Sequence, residues 1–316
     1  MNGPPAHRSS FIGHRSRLLV LRLSALGDVI HTIPAVVGLK EHYDITWVVE
    51  APYRELVEIV AGVQTIPVRL KKEPMRAFRA IKEMRGFDVS IDFQGLIKSA
   101  MLPWAARVKE RIGFDREAIR EKPALWFTNH KVHVDTSKHV IDQNLELALN
   151  VGRASARLPG GEGRAEARPT WSAFPEPIEA RGEIVLLPGA GKPNKIWPHF
   201  AGLAKELGPR ALVVWGPGEQ VLAQAIGART APPTNLRELA YLLQKAEVVI
   251  GGDTGPLHLA AALGTKVIGL YGPTDPRRNG PYGQLARVID HFQSTKSMES
   301  ISVEEVVKTL ERVASE

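Results

Sequence analysis

The chain has 316 residues and no cysteine; 44% of it is hydrophobic, 24% is charged, and its net charge is +7. That length suits two domains, each with a core of its own, and the composition excludes disordered, collagenous and fibrous classes. The absent thiols remove disulfides, thiolate metal sites, Fe–S clusters and cysteine nucleophiles at once.

Residues 1–15 are polar and carry no assignable role. The apolar stretch from Leu18 to Leu39 is broken by Arg22 and Asp28, short of the ~18 uninterrupted apolar residues of a spanning helix. It also lacks the cleavage site of a secretory signal, so a cytoplasmic protein is expected. Short apolar runs predict strands at Leu18 to Leu23, Ile45 to Val49 and Val89 to Ile91, then at Ile184 to Leu187, Ala211 to Trp215, Val248 to Gly251 and Val267 to Leu270. Helical patterns alternate with them, which predicts parallel sheets with crossover helices. Gly152 to Gly182 is rich in Gly, Ala, Pro and Arg without a clear period and reads as a linker. Val303 to Val313 reads as an amphipathic helix with Val306, Leu310 and Val313 on one face.

Charge is distributed unevenly. Residues 1–158 carry 24 Lys and Arg against 17 Asp and Glu, whereas residues 159–316 carry 17 of each. The densest stretch, Arg69 to Arg85, holds seven basic residues. Such a face suits nucleic acid, an anionic membrane surface or an anionic substrate, or it is simply a solvated helix face. Phe78 and Phe87 are the only rings among Arg69 to Phe87, which argues against single-stranded nucleic acid.

Five loops carry candidate chemistry. Ser24 to His31, SALGDVIH, follows the first strand and puts Asp28 in a helix's first turn at the ligand crevice, as a general base or as a cap. Gly251 to Gly264 places Asp253, Thr254 and Gly255 at a helix N-terminus, where free N–H groups and the helix dipole favour phosphate. His258 follows in that helix, as a packed histidine or a ligand contact. The loop from Leu187 to Pro198 supplies Lys192 and Lys195, suited to a diphosphate leaving group, although no Walker A sequence is present. Glu219, after the strand ending at Trp215, could hold a ribose. Asp92 to Ser99 could aim Gln94 and Lys98 into the cleft. His130, His133 and His139 lack zinc-site spacing, and no metal is expected there.

In order, SALGDVIHTIPA, DFQGLIKSA, PGAGKPNKIWP, WGPGE, GGDTGPLHLAAALG and LYGPTDP resemble the ADP-heptose:lipopolysaccharide heptosyltransferases, glycosyltransferase family 9, over residues 17–285. GDVIHTIPA and DFQGLIKSA are closer to the heptosyltransferase I branch. The resemblance implies a GT-B fold, with two Rossmann-like α/β domains facing across a cleft. Residues 1–165 would bind the acceptor, 166–299 would bind the nucleotide sugar, and a last helix at 300–316 would pack back on the first domain. It implies inverting transfer of heptose from ADP-heptose to Kdo of Kdo₂-lipid A, with no metal or cofactor. Asp28 would be the general base. Lys195, Thr254 and Gly255 would hold the diphosphate, Asp253 and His258 the sugar end, Glu219 the ribose, and Thr234 to Leu236 the adenine. Ala190 and Gly191 depart from that branch, which carries hydroxyl residues there, so backbone N–H groups would replace side-chain donors.

The implied acceptor is anionic, which makes Lys71, Lys72, Arg76, Arg79, Lys98 and Arg120 its candidate ligands and places the enzyme peripherally on the cytoplasmic face of the inner membrane. No nucleic acid is expected as a partner. The alternatives are another nucleotide-sugar donor, a later heptose acceptor, or a non-enzymatic RNA- or membrane-surface-binding protein. A nucleotide-sugar epimerase or dehydrogenase is disfavoured by the missing G-x-G-x-x-G after the first strand.

Overall fold

The computed structural model describes residues 15–59, 63–70, 74–154 and 183–316. The expected domain boundary at 165/166, most of the expected linker, and Lys71 and Lys72 lie outside the described residues.

The first half contains β1 (Ser16–Leu21), α1 (Leu26–Leu39), β2 (Tyr43–Glu50), α2 (Arg54–Ile59), β3 (Gln64–Val68), α3 (Pro74–Glu83), β4 (Val89–Asp92), α4 (Ile97–Ala105), β5 (Glu110–Phe114), β6 (His130–Val132) and α5 (Val140–Ala154). The second contains β7 (Ile184–Leu187), α6 (Phe200–Leu207), β8 (Ala211–Val213), α7 (Gln220–Ala225), β9 (Arg229–Thr230), α8 (Leu236–Lys245), β10 (Val248–Gly252), α9 (Gly255–Ala262), β11 (Lys266–Tyr271), α10 (Pro276–Asn279), β12 (Val288–Asp290) and α11 (Val303–Ser315). All seven expected strands are present. The strands not anticipated are β3, β5, β6, β9 and β12, which are short or carry polar and proline residues.

Both sheets are parallel and six-stranded, ordered β3-β2-β1-β4-β5-β6 and β12-β11-β10-β7-β8-β9. Each has the doubly wound 3-2-1-4-5-6 order, whose direction reverses beside its first strand. The central strands read as continuous apolar runs because helices cover both faces. The reversal points lie between β1 and β4 and between β7 and β10. All four motif loops that follow these strands therefore open where a doubly wound sheet forms its ligand crevice.

The domains meet helix to helix. Val29 and Ile33 of α1 and Leu257 and Leu259 of α9 share one buried cluster. A Cβ on Gly255 would stand 2.7 Å from the Leu26 side chain, so only glycine lets the two helix N-termini approach this closely. His139 Nε2 reaches the Gly280 carbonyl at 3.0 Å, and the Tyr282 hydroxyl donates to Asp142 at 2.7 Å, closing the same interface.

The last helix corrects an expectation. Val306, Leu310 and Val313 face inward as the apolar spacing requires, but they join the second domain's core with Trp197, Phe200 and Leu203. The reason lies in the segment before it. Trp197 Nε1 donates to the Ile301 carbonyl at 2.9 Å, and a Cβ on Gly272 would meet the Ser297 carbonyl carbon at 2.5 Å. The chain thus runs tight along the second domain, and α11 covers α6 and β11 instead of returning to the first. Leu310→Ala is expected to lower stability by ~2–5 kcal/mol. Hydrogen exchange should accelerate in α6 and β11 and stay unchanged in β1 and β4.

Candidate active site

A cavity of about 820 Å³ opens between the domains, a volume in the range of small-ligand sites. Asp28, His31 and Arg120 line it from one side, and Lys195, Glu219, Asp253, Thr254 and His258 from the other.

Asp28 sits in the first turn of α1, as its position after β1 predicts. Its carboxylate is 2.6 Å from Arg22 Nη2 and accepts two hydrogen bonds from Arg120, each 3.1 Å long. Arg22 is buried just beyond β1 and held in place by the Phe93 carbonyl, whereas the Arg120 side chain is 41% exposed. Burial raises the Asp28 pKa, but the charge of Arg22 and the hydrogen bonds and charge of Arg120 outweigh it and hold it below the usual carboxylate range. The loop that carries Asp28 is braced from β4. Gln94 is buried; its Oε1 accepts from Leu23 N at 2.6 Å and its Nε2 donates to the Ser24 carbonyl at 2.9 Å. Gln94 therefore supports the loop instead of facing the cleft.

Across the cavity, Asp253 is a hub at the end of β10. It accepts from Lys195 Nζ at 2.6 Å, His258 Nε2 at 3.1 Å and Asn279 Nδ2 at 2.9 Å. Burial raises its pKa, yet His258 and Lys195 together hold it far below the ordinary carboxylate value. An ionised carboxylate only accepts, so His258 Nε2 carries the hydrogen of this bond and Nδ1 points away from Asp253. That Nδ1 and the Thr254 hydroxyl are both buried without a partner. Thr254 makes no side-chain cap to α9, so the N-terminal N–H groups there remain open to the cavity.

Glu219 accepts from Gly216 N at 2.8 Å, and its carboxylate lies where a side chain on residue 189 would stand, so Gly189 makes its placement possible. Asn235 and Glu238 cap α8 reciprocally at 2.9 Å, which fixes Thr234 and Leu236 on the cavity wall.

The expected acceptor ligands separate. Arg120 lines the cavity. Lys98 instead pairs with Glu50 at 3.5 Å, and exposed Arg79 pairs with Glu83 at 3.4 Å on α3; neither lines the cavity. Arg76 lies in α3. His130, His133 and His139 do not converge: His139 is buried at the domain interface, while His133 is exposed and bonded to Asp115 at 2.8 Å.

Three functional candidates escaped the sequence reading. Arg22 had a legible signal, a charge inside a buried strand run. Asn279 had none, because its place beside Asp253 depends on α10, which Asp275 caps. His31 stands within a quoted motif without a role; its ring packs 4.4 Å from His258 and 5.7 Å from His139.

These histidines carry a pH consequence. Burial, then the neighbouring His258, push His31 well below its ordinary value, and burial also lowers His139. Below about pH 6.5 the unfolded chain binds these protons and the folded chain resists them, so stability falls as pH falls, by up to ~1.4 kcal/mol per pH unit for each histidine. Asp92 works in the opposite sense: burial pushes it up to about 6, so the folded state gains relative stability as pH drops from 6 toward 4. Two histidines outweigh one carboxyl, and the thermal midpoint is expected to drop between pH 7 and pH 5, with a shallower slope in His31→Gln.

Two doubly wound domains, with a carboxylate at one helix N-terminus facing a lysine and a second helix N-terminus across the cleft, define the GT-B architecture. The model for glycosyltransferase family 9 (heptosyltransferase) matches residues 75–308. The chain belongs to that family. It is 31% identical to lipopolysaccharide heptosyltransferase 1 of Escherichia coli strain K12 over 85% of this chain and 91% of that protein. Two solved structures of the Escherichia coli heptosyltransferase WaaC superpose on it. The complex with ADP has a TM-score of 0.79 at 27% identity, covering 94% of this chain and 99% of that one. The complex with ADP-2-deoxy-2-fluoro heptose has a TM-score of 0.78 at 26% identity, with the same coverage. Among the described residues no helix is long and apolar enough to cross a membrane.

Proposed function

We propose that this protein transfers heptose from ADP-heptose to a Kdo hydroxyl of the lipopolysaccharide inner core, with inversion and without a covalent intermediate, at the cytoplasmic face of the inner membrane. The observation that carries the reading is the abutment of α1 and α9, which puts Asp28 and the α9 N-terminus on one cavity wall-to-wall.

In the reaction the acceptor oxygen bonds to the anomeric carbon as the bond from that carbon to the diphosphate oxygen breaks, and ADP leaves with the electron pair. Asp28 takes the hydroxyl proton. Lys195, the Thr254 hydroxyl and the N–H groups of α9 meet the charge growing on the diphosphate. Asp253, oriented by His258 and Asn279, receives the heptose hydroxyls, Glu219 the ribose, and the wall at Thr234 and Leu236 the adenine.

Paired with two arginines, Asp28 is ionised but weak as a base. A Kdo carboxylate that draws Arg120 toward itself would remove one of those charges and raise the Asp28 pKa when the acceptor is bound. Arg22, buried and anchored, stays to orient the carboxylate. The test is transfer from ADP-heptose and competing nucleotide sugars to Kdo₂-lipid A and to a heptosylated core, read by mass spectrometry. A single heptose added to Kdo₂-lipid A is the expected product. Transfer only from another donor, only to the heptosylated core, or from no donor would overturn the reading.

A further inference from the structure

Five of the nine exposed large hydrophobic side chains among the described residues lie on α3, α4 and the 3-10 turn Lys122–Trp126. On α4, Ile97, Met101 and Trp104 are 37%, 43% and 51% exposed. Their i, i+4, i+7 spacing puts them on one helix face. Trp126, 83% exposed, ends the 3-10 turn that packs beside α4, where the adjoining Phe127 ring lies 5.5 Å from Trp104. Phe78, 69% exposed, stands on α3, which packs beside α4. A soluble face has no use for an aligned row of aliphatic and indole side chains; such rows mark interaction surfaces.

The same elements and their flanks carry Lys98, Arg107, Lys122, Arg79 and Lys82 against the acids Glu83, Glu121 and Glu50, the last paired with Lys98. The excess is cationic. The ridge also begins at the mouth of the active site: Ile97 N donates to Glu121 Oε2 at 2.8 Å, and the adjacent Arg120 holds Asp28.

We propose that this ridge is the surface on which the enzyme docks to an anionic phospholipid leaflet, with Met101, Trp104 and Trp126 entering the headgroup boundary and the flanking cations meeting lipid phosphates. Indole and aliphatic groups rimmed by lysine and arginine are the composition of helices that lie in a membrane interface. A protein partner would not by itself require the cationic rim. The inference rests on the proposed lipid-anchored acceptor, because docking beside Arg120 would bring the cleft mouth to a sugar held at the bilayer surface.

The test is co-sedimentation with vesicles of phosphatidylglycerol and phosphatidylethanolamine, against phosphatidylcholine alone, for wild type and Met101→Ser/Trp126→Ser. Brominated acyl chains in the vesicles report on tryptophan depth. Wild type is expected to bind the anionic vesicles with quenched tryptophan emission, and the double variant to bind about tenfold more weakly. The variant should keep its thermal midpoint and its turnover on a de-acylated acceptor, which separates lost docking from lost folding. Equal binding by the variant, unquenched emission, or no vesicle binding by wild type would each overturn the proposal. Vesicle binding needs no acceptor, so failure of heptosyl transfer and failure of docking are read independently.

Discussion

Asp28→Ala is expected to lower turnover by ~10²–10⁴-fold while leaving ADP binding nearly unchanged, because the carboxylate acts on the acceptor proton and the nucleotide is held from the opposite domain. Isothermal titration with ADP beside steady-state kinetics separates the two. A comparable loss of ADP affinity would instead make Asp28 a structural counter-ion for Arg22 and Arg120. Arg120→Ala distinguishes these roles further. Removing that guanidinium takes away a charge that lowers the Asp28 pKa in the free enzyme, so the acidic limb of the kcat/KM profile is expected to move to higher pH. Base strength should rise as acceptor affinity falls, giving a raised KM with a smaller change in kcat. Arg22→Ala differs because Arg22 is buried and also bonded to the Phe93 carbonyl; its loss should disturb the loop that carries Asp28.

Lys195→Ala is the second large effect. The lysine pairs with Asp253 at 2.6 Å and lines the cavity. With donor bound, it is placed to share its charge between Asp253 and the diphosphate. Truncation should cost ~10²–10³-fold in turnover, the scale found when one group that stabilises developing charge is removed. The weakening of ADP binding should be smaller than the loss of turnover, since charge on the diphosphate grows toward the transition state. The same truncation leaves Asp253 with His258 and Asn279 alone, so its carboxyl pKa is expected to rise. Turnover retained in Lys195→Ala would reduce the lysine to a partner of Asp253.

The doubly wound class was legible because buried parallel strands need apolar faces on both sides, and Leu18 to Leu21 or Val248 to Ile250 display that without ambiguity. Edge strands such as β3 and β6 were not legible. They bury one side at most and carry residues such as Pro67 and Lys131 that strand patterns do not select. Motif loops were legible for a related reason. A reversal point in such a sheet always presents the loops after its central strands, so Asp28, Lys195 and Asp253 could be assigned to the crevice before any side chain was placed.

By itself, then, the sequence determined two α/β domains, the helix N-termini that carry the site, and the apolar face of α11. Tertiary structure decided which groups meet across the chain. Arg120 is 92 residues from Asp28, and Asn279 is 26 from Asp253. No periodicity links such positions, because their proximity depends on how separate elements pack. The partner of α11 was likewise undecided by its stripe: an amphipathic helix specifies that one face must be buried, not against what, and here the close passage of Ser297 past Gly272 made that choice. Acidity of Asp28 was undecided for the same reason, since the balance between burial and two guanidinium groups exists only once the fold brings them together.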